Sequence, residues 1–364
     1  MRKETISFVE AFSMLTMFIM GSTLILGAAP EAKRDTWIAI IIATLASIII
    51  VSAYSKIATT FPGKTIFDIF ELLFGKILGN ILTILYIWYF LHLGSLVMRN
   101  FGEFMNTLAM PETPIFVPMM CIGILCIWVV KSGIEVLART SKVLFITCIV
   151  VIIIIQFCTI PILDVSNIKP MVENGWGPIM NGAFSTISFP YAESIAFMGA
   201  LYCIEKKNLV YKIYISSVVM AGIFIIVIAL RNLFVLGGSV LGSLYFPAYL
   251  AVSKINIGDF IQRVEGSVSI VFAAGIFVKI SLCLLAASNG IAKLFNLKDY
   301  RSVVIQTGLI MSYLAYFIYD SIMEMSYWAT KIYKYYAFPF QIIIPVIMLI
   351  VIEIKVKRNK LKTN

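Results

Sequence analysis

Residues 188–194 read SFPYAES and residues 21–30 read GSTLILGAAP. Each stretch lies inside an apolar run long enough to cross a bilayer, where about 20 mostly apolar residues suffice. Pro190 has no amide hydrogen and disfavours helical backbone at Phe189, so the hydrogen-bond ladder should stop there. A second helical piece can then start with Pro190 in its first turn, where proline is preferred. The amides of Tyr191 to Glu193 would then form the positive end of a helix dipole, able to hold a carboxylate. In the earlier stretch, Gly21 offers a matching unwound point, and the hydroxyls of Ser22 and Thr23 can bond either a ligand or freed carbonyls. A simple proline kink with no ligand is the alternative.

The rest of the chain supplies the setting. Of 364 residues, 60% are hydrophobic and 13% charged, with mean hydropathy +0.96; soluble domains carry roughly 25% charged residues. Ten apolar spans follow, at 8–30, 36–55, 80–101, 114–130, 142–163, 178–200, 210–235, 266–290, 302–320 and 336–354. The alternating ten-residue strands of a membrane barrel are absent. Lys and Arg collect in alternate gaps: Arg2 and Lys3; Lys56, Lys64 and Lys76; Lys131, Arg139 and Lys142; Lys206, Lys207 and Lys212; Lys293, Lys298 and Arg301; and Lys355 to Lys362. These hold nineteen of the 29 basic residues, and the positive-inside rule places both termini in the cytoplasm. The net charge of +10 therefore reads as a topology and anionic-lipid signal rather than a nucleic-acid one. Arg2 and Lys3 before an apolar run mimic a signal peptide, but the run is long and contains Glu10, so a retained first helix is expected.

Ten spans divide into five and five, with 8–163 and 178–354 as two repeats of a single membrane domain, 1–364. The first helix of each half is the interrupted one. Interruptions at matching positions are the sequence mark of an inverted-repeat transporter fold whose site lies where broken helices 1 and 6 meet at the midplane. Between spans 2 and 3, Ile66, Ile69, Phe70, Leu73 and Phe74 alternate with Lys64, Asp68, Glu71 and Lys76, which predicts an amphipathic helix. The longest outer connection, from Gly237 to Glu265, is expected to hold one or two short helices.

Glu193 is the sharpest candidate. A carboxylate at mid-membrane must face the bundle interior and find a cation or a proton; it could bind a ligand ammonium, carry a proton, or serve as half of a structural pair. Lys279, in the middle of span 8, faces the same cost. It could pair with Glu193, replace a bound coupling ion, or snorkel into a wet crevice. Phe184, Phe189 and Tyr191 could shape a pocket or simply pack. His92 is the sole histidine, and with no Cys or carboxylate at ligand spacing it reads as a hydrogen-bonded interior residue, not a metal site. Arg99 and Glu103 suggest a local i,i+4 pair, whereas Arg231 and Asp320 could pair or snorkel. The six cysteines lack metal-ligand spacing and read as small hydrophobes. No hydrolase, metalloprotease or nucleotide-binding motif is present, so neither an enzyme nor a cofactor is expected.

The string GSTLILGAAP followed by FSTISFPYAESIAF resembles the broken helices of the amino acid, polyamine and organocation transporter superfamily. The N-terminal ISFVEAF, FPYAESIAF, and YFPAYLAVSKINIGDFIQRVE with Phe246, Pro247, Phe260, Arg263 and Glu265 look more specifically like the B subunit of spore germinant receptors, over essentially the whole chain. That resemblance implies ten helices in the inner membrane of the bacterial spore, A and C subunits as partners, and a small nutrient such as an amino acid as ligand. Carried over by motif, Gly21, Ser22 and Thr23 fall on the first unwound segment, and Phe189, Pro190, Tyr191 and Glu193 on the second. Glu10 stands where the family often has Gln, and Ala192 where it often has Gly; a methyl group there could narrow the pocket. A receptor subunit and a proton-coupled amino acid permease would use the same site.

Overall fold

The computed structural model describes residues 4–204, 208–256 and 264–357. Among these the chain is helical throughout: α1 (Phe8–Met20), α2 (Thr23–Leu26), α3 (Thr36–Thr60), α4 (Ile66–Phe104), α5 (Phe116–Ser132), α6 (Ile134–Thr159), α7 (Trp176–Thr186), α8 (Leu209–Leu236), α9 (Gly238–Leu241), α10 (Pro247–Val252), α11 (Glu265–Leu294), α12 (Val304–Phe317), α13 (Ile322–Tyr327), α14 (Tyr333–Phe338) and α15 (Ile344–Lys357). Seven helical stretches are long and apolar enough to cross a membrane; α5 and α12 are shorter apolar helices. The interrupted run from Trp176 to Cys203 falls on the sixth expected span. The short helices α9 and α10 occupy the long outer connection. Phe260 and Arg263 of the motif there lie outside the described residues.

Local chemistry sets the boundaries. Ser7 and Glu10 form a capping box at the start of α1, the Ser7 amide donating to Glu10 Oε2 at 2.9 Å and the Glu10 amide to Ser7 Oγ at 3.4 Å. Glu10 therefore sits at a helix terminus, where Gln would serve equally. Thr65 and Asp68 repeat the device at the start of α4. Within α4 the backbone turns at Gly75, with φ 79° and ψ 176°, a conformation that glycine adopts without a Cβ penalty. The turn separates the expected amphipathic piece, whose Ile66, Ile69, Phe70 and Leu73 are buried, from the spanning helix.

Helices in lipid pack by close contact more than by hydrophobic drive. A close crossing joins the first break to α11: a Cβ added at Gly275 would lie 3.0 Å from Gly21 Cα. α11 is the central helix, buried along most of its length, and Lys279 on it is fully buried rather than snorkelling. Apolar side chains such as Ile49, Ile77, Trp128 and Phe157 instead stand exposed on the outer surface, where lipid would cover them.

The basic gaps converge. Glu4 pairs with Arg301, the Thr5 amide donates to Glu135 Oε1 at 2.9 Å, Lys293 reaches Asp68 and Glu71 at 3.1 and 2.7 Å, and Lys56 pairs with Glu353. Lys355 donates to the Leu72 and Leu73 carbonyls, both at 2.9 Å, capping the amphipathic piece. At this same end the Ile6 amide donates to the Cys203 carbonyl at 3.0 Å, and Ile6 forms an isolated parallel bridge with Ile204.

Candidate functional site

Both interruptions are present. α1 ends at Gly21 (φ 3°, ψ −101°), and α2 begins after Ser22. In the sixth run, a π-turn at Ile187–Tyr191 contains Phe189 in extended backbone (φ −129°, ψ 111°), and a 3-10 helix, Ala192–Gly199, follows. The extended Phe189 is what the following proline dictates.

A break inside lipid leaves main-chain groups that must be satisfied internally. Around the sixth run side chains do this. Gln341 Nε2 donates to the Ser188 carbonyl at 2.9 Å, the Tyr54 hydroxyl to the Ala192 carbonyl at 3.2 Å, and the Tyr214 hydroxyl to the Ser194 carbonyl at 3.2 Å. The three amides expected at the start of the second piece are not all free, because the Ala192 amide donates to the Ile187 carbonyl.

Glu193 lies fully buried between the two breaks. Lys279 Nζ donates to its Oε2 at 2.5 Å, and the Tyr333 hydroxyl donates to its Oε1 at 2.5 Å, so each carboxylate oxygen has one donor. The Lys279 ammonium also stands 4.8 Å from the Phe189 ring centroid and 5.3 Å from that of Phe18, within cation–π range. Gly21 makes room for it: a Cβ there would fall 2.9 Å from Lys279 Cδ and 3.1 Å from the Phe18 carbonyl oxygen. The first break, the central lysine and the second break thus form one contiguous unit.

Glu193, Phe189 and Tyr333 line a cavity of about 150 Å³. Its remaining wall includes Gly27 to Glu31, Asn100, Tyr245 and Tyr319, all at the end of the bundle opposite the basic gaps. The other candidates are placed differently. Ser22 and Thr23 are buried with hydroxyls that have no hydrogen-bond partner, and neither lines this cavity. Pro190 is buried where the second helical piece begins. Tyr191 turns away, its hydroxyl 2.7 Å from Thr44 Oγ1 on α3. Ala192 is likewise not in the wall, so its methyl group does not narrow this cavity, and Phe184 packs on the rings of Tyr335 and Phe338.

His92 is not hydrogen-bonded through Nδ1 as expected; it is sandwiched among Trp88, Trp328 and Tyr336. Arg99 pairs with Glu103 at 2.8 Å. Arg231 does not meet Asp320; it donates to Asn232 Oδ1 at 2.7 Å. At the basic end, burial raises the Glu4 carboxyl above its usual range against the opposing pull of Arg301.

Sequence reasoning missed Tyr333 and a second polar cluster at the cavity mouth. There Lys334 Nζ donates to Asn181 Oδ1 at 2.6 Å, Ser185 Oγ at 3.1 Å and Glu31 Oε1 at 3.2 Å, and Ser185 Oγ donates to the same Glu31 oxygen at 2.6 Å. Two lysines three residues apart, Lys331 and Lys334, within an aromatic run were the available signal.

A family model described as "Spore germination protein" matches residues 5–325. Spore germination protein KB of Bacillus subtilis (strain 168) is 28% identical over 99% of this chain and 98% of its own length. Spore germination protein A2 of the same organism is 24% identical over 88% and 87%. Among solved structures, a nucleobase-cation-symport-1 family transporter in a closed conformation with bromovinylhydantoin bound superposes with TM-score 0.69 at 12% identity, covering 89% of this chain and 76% of that one. MhsT in complex with L-phenylalanine gives TM-score 0.66 at 13% identity, over 97% and 99%. At such identities these two likenesses are of fold: an all-helical, multi-pass membrane transporter fold with interrupted helices. With the match running through both breaks and the central lysine, the chain belongs to the spore germination protein family.

Proposed function

We propose that this chain is the nutrient-sensing membrane subunit of a spore germination receptor, binding a small molecule, most simply an amino acid, at broken helices 1 and 6. The observation that carries this reading is the joining of both breaks through Lys279, whose partner Glu193 lines the cavity together with Phe189 and Tyr333. Binding there would shift the bundle between two states through differential affinity, and A and C subunits would receive that shift. In this reading the basic end faces the cytoplasm, the membrane is the spore inner membrane, and residues 8–163 and 178–354 are the two repeats. Lys279 supplies a fixed positive charge beside the first break, so the site needs no bound coupling cation.

The test is a germination assay across single nutrients in spores with and without this chain. Loss of response to one nutrient, with others retained, is the expected result; responses unchanged for every nutrient overturn the reading. The transporter fold favours a second reading, a proton-coupled amino acid permease. Strong accumulation of an amino acid by the purified protein in proteoliposomes under a proton gradient would establish that one instead.

A further inference from the structure

On α4 the cavity is lined by one helical face. Leu93, Leu96, Val97 and Asn100 all border it, at the i, i+3, i+4 and i+7 spacing that brings side chains to the same side of a helix. The first three are apolar and buried. Asn100 is the polar member, half-buried and roughly 10 Å along the axis from Leu93. The same wall holds Tyr319, in the connection between α12 and α13, and Ser326 on α13.

The charged groups around this space are already engaged. Glu193 takes one donor on each oxygen, from Lys279 and Tyr333. Glu31 takes Lys334 and Ser185 on Oε1, and its Oε2 is buried. Neither lysine lines the cavity, and each is spent: Lys334 on three acceptors, Lys279 on Glu193 and two aromatic rings. Arg99, next to Asn100 in the chain, donates to Glu103 Oε1 at 2.8 Å and to the Tyr316 carbonyl at 2.7 Å. The neutral groups are in the reverse condition. The Asn100 carboxamide and the Tyr319 and Ser326 hydroxyls have no hydrogen-bond partner among the described residues. None of them is among the unpartnered polar atoms sealed from water, so a molecule in the cavity can reach them.

This division sets what the cavity can tell apart. An ionised ligand side chain would lose its water to neutral groups, with no opposite charge left to meet it. An apolar side chain would strip water from Asn100 and Tyr319 and return no bond. A hydroxyl or carboxamide escapes both costs, because the Asn100 carboxamide donates as well as accepts.

We infer that Asn100, assisted by Tyr319, determines the specificity of this site, and that its ligand class is amino acids with an uncharged, hydrogen-bonding side chain. The inference deepens the nutrient-binding reading and rests on it. A wall built to bond a polar side chain rejects the analogue that lacks one, since its own groups are then left unpaired.

The test is equilibrium binding to the purified full chain in detergent, with side chains matched in shape: threonine against valine, and asparagine against leucine and aspartate. For the wild type, threonine or asparagine should bind about tenfold tighter than its apolar match, the range of one hydrogen bond left unmade, and aspartate more weakly than asparagine. Asn100→Leu, which keeps the volume of the wall, should abolish the gap between polar and apolar partners. Tyr319→Phe removes a single unbonded hydroxyl and should narrow the same gap. A gap unchanged in both variants, or a wild type that favours valine, leucine or aspartate, overturns the inference while leaving a nutrient site in place. A wild type that binds none of the five overturns it as well, and the spore assay above, which presumes no particular ligand, decides the nutrient-binding reading separately.

Discussion

The two helix breaks solve the same problem in opposite ways. Around the sixth run, Gln341, Tyr54 and Tyr214 reach in from other helices to satisfy the carbonyls of Ser188, Ala192 and Ser194. At the first break the hydroxyls of Ser22 and Thr23 are buried and have no partner. The carbonyls of the sixth run are held by neighbouring side chains, although Ser194 Oγ there also lacks a partner, whereas both hydroxyls of the first break are left open. The contrast teaches which side of the site is scaffold and which side can still gain a bond. A buried polar group that lacks a partner is costly, and a ligand that completes it recovers that cost.

The largest effect should come from breaking the unit that joins the two. Lys279→Met leaves Glu193 buried with only Tyr333 as donor, and should cost about 3–5 kcal/mol, read as a lowered midpoint of thermal unfolding. Combining it with Glu193→Gln should recover much of that loss; a double variant as unstable as the single one would show that the pair is not the cause. Next in size is the locked break. Tyr54→Phe removes the donor to both the Ala192 and Gln341 carbonyls, and a loss of about 1–3 kcal/mol is expected for groups left unsatisfied. The smallest stability change belongs to the open break. Ser22→Ala and Thr23→Val remove buried hydroxyls that bond nothing, so stability should not fall and should rise by up to about 1 kcal/mol, while the nutrient response of spores falls. Full response in both variants would take the first break out of the site.

Much of this was legible in the residues. A lysine and a glutamate in the middle of apolar runs have few ways to be stable in lipid, so their pairing could be anticipated from each alone. The breaks were legible because Pro190 and Gly21 act on the backbone directly. What lay beyond reach is the direction of side chains after a break, since an interruption resets the helical phase. Tyr191 and Ala192 therefore point away from the cavity although they adjoin Glu193. Tyr333 and Lys334 were hidden for a related reason. The run from Ile322 to Lys357 contains π-turns at Trp328–Ile332 and Pro339–Ile343, each of which inserts a residue into the turn and blurs the period by which a buried face is read. That stretch is also rich in tyrosine and lysine, so hydropathy began the last span at 336, three residues after the tyrosine that touches Glu193.

That last helical run has a mechanical consequence. It carries Tyr333 beside the cavity and continues without a gap to Lys355, whose ammonium grips the Leu72 and Leu73 carbonyls at the far end of the bundle. It is a lever with one tip against the cavity and the other clamped to a helix turned aside at Gly75. A push on Tyr333 would then be felt at the far end of the bundle through this one run, at the turn beside Gly75.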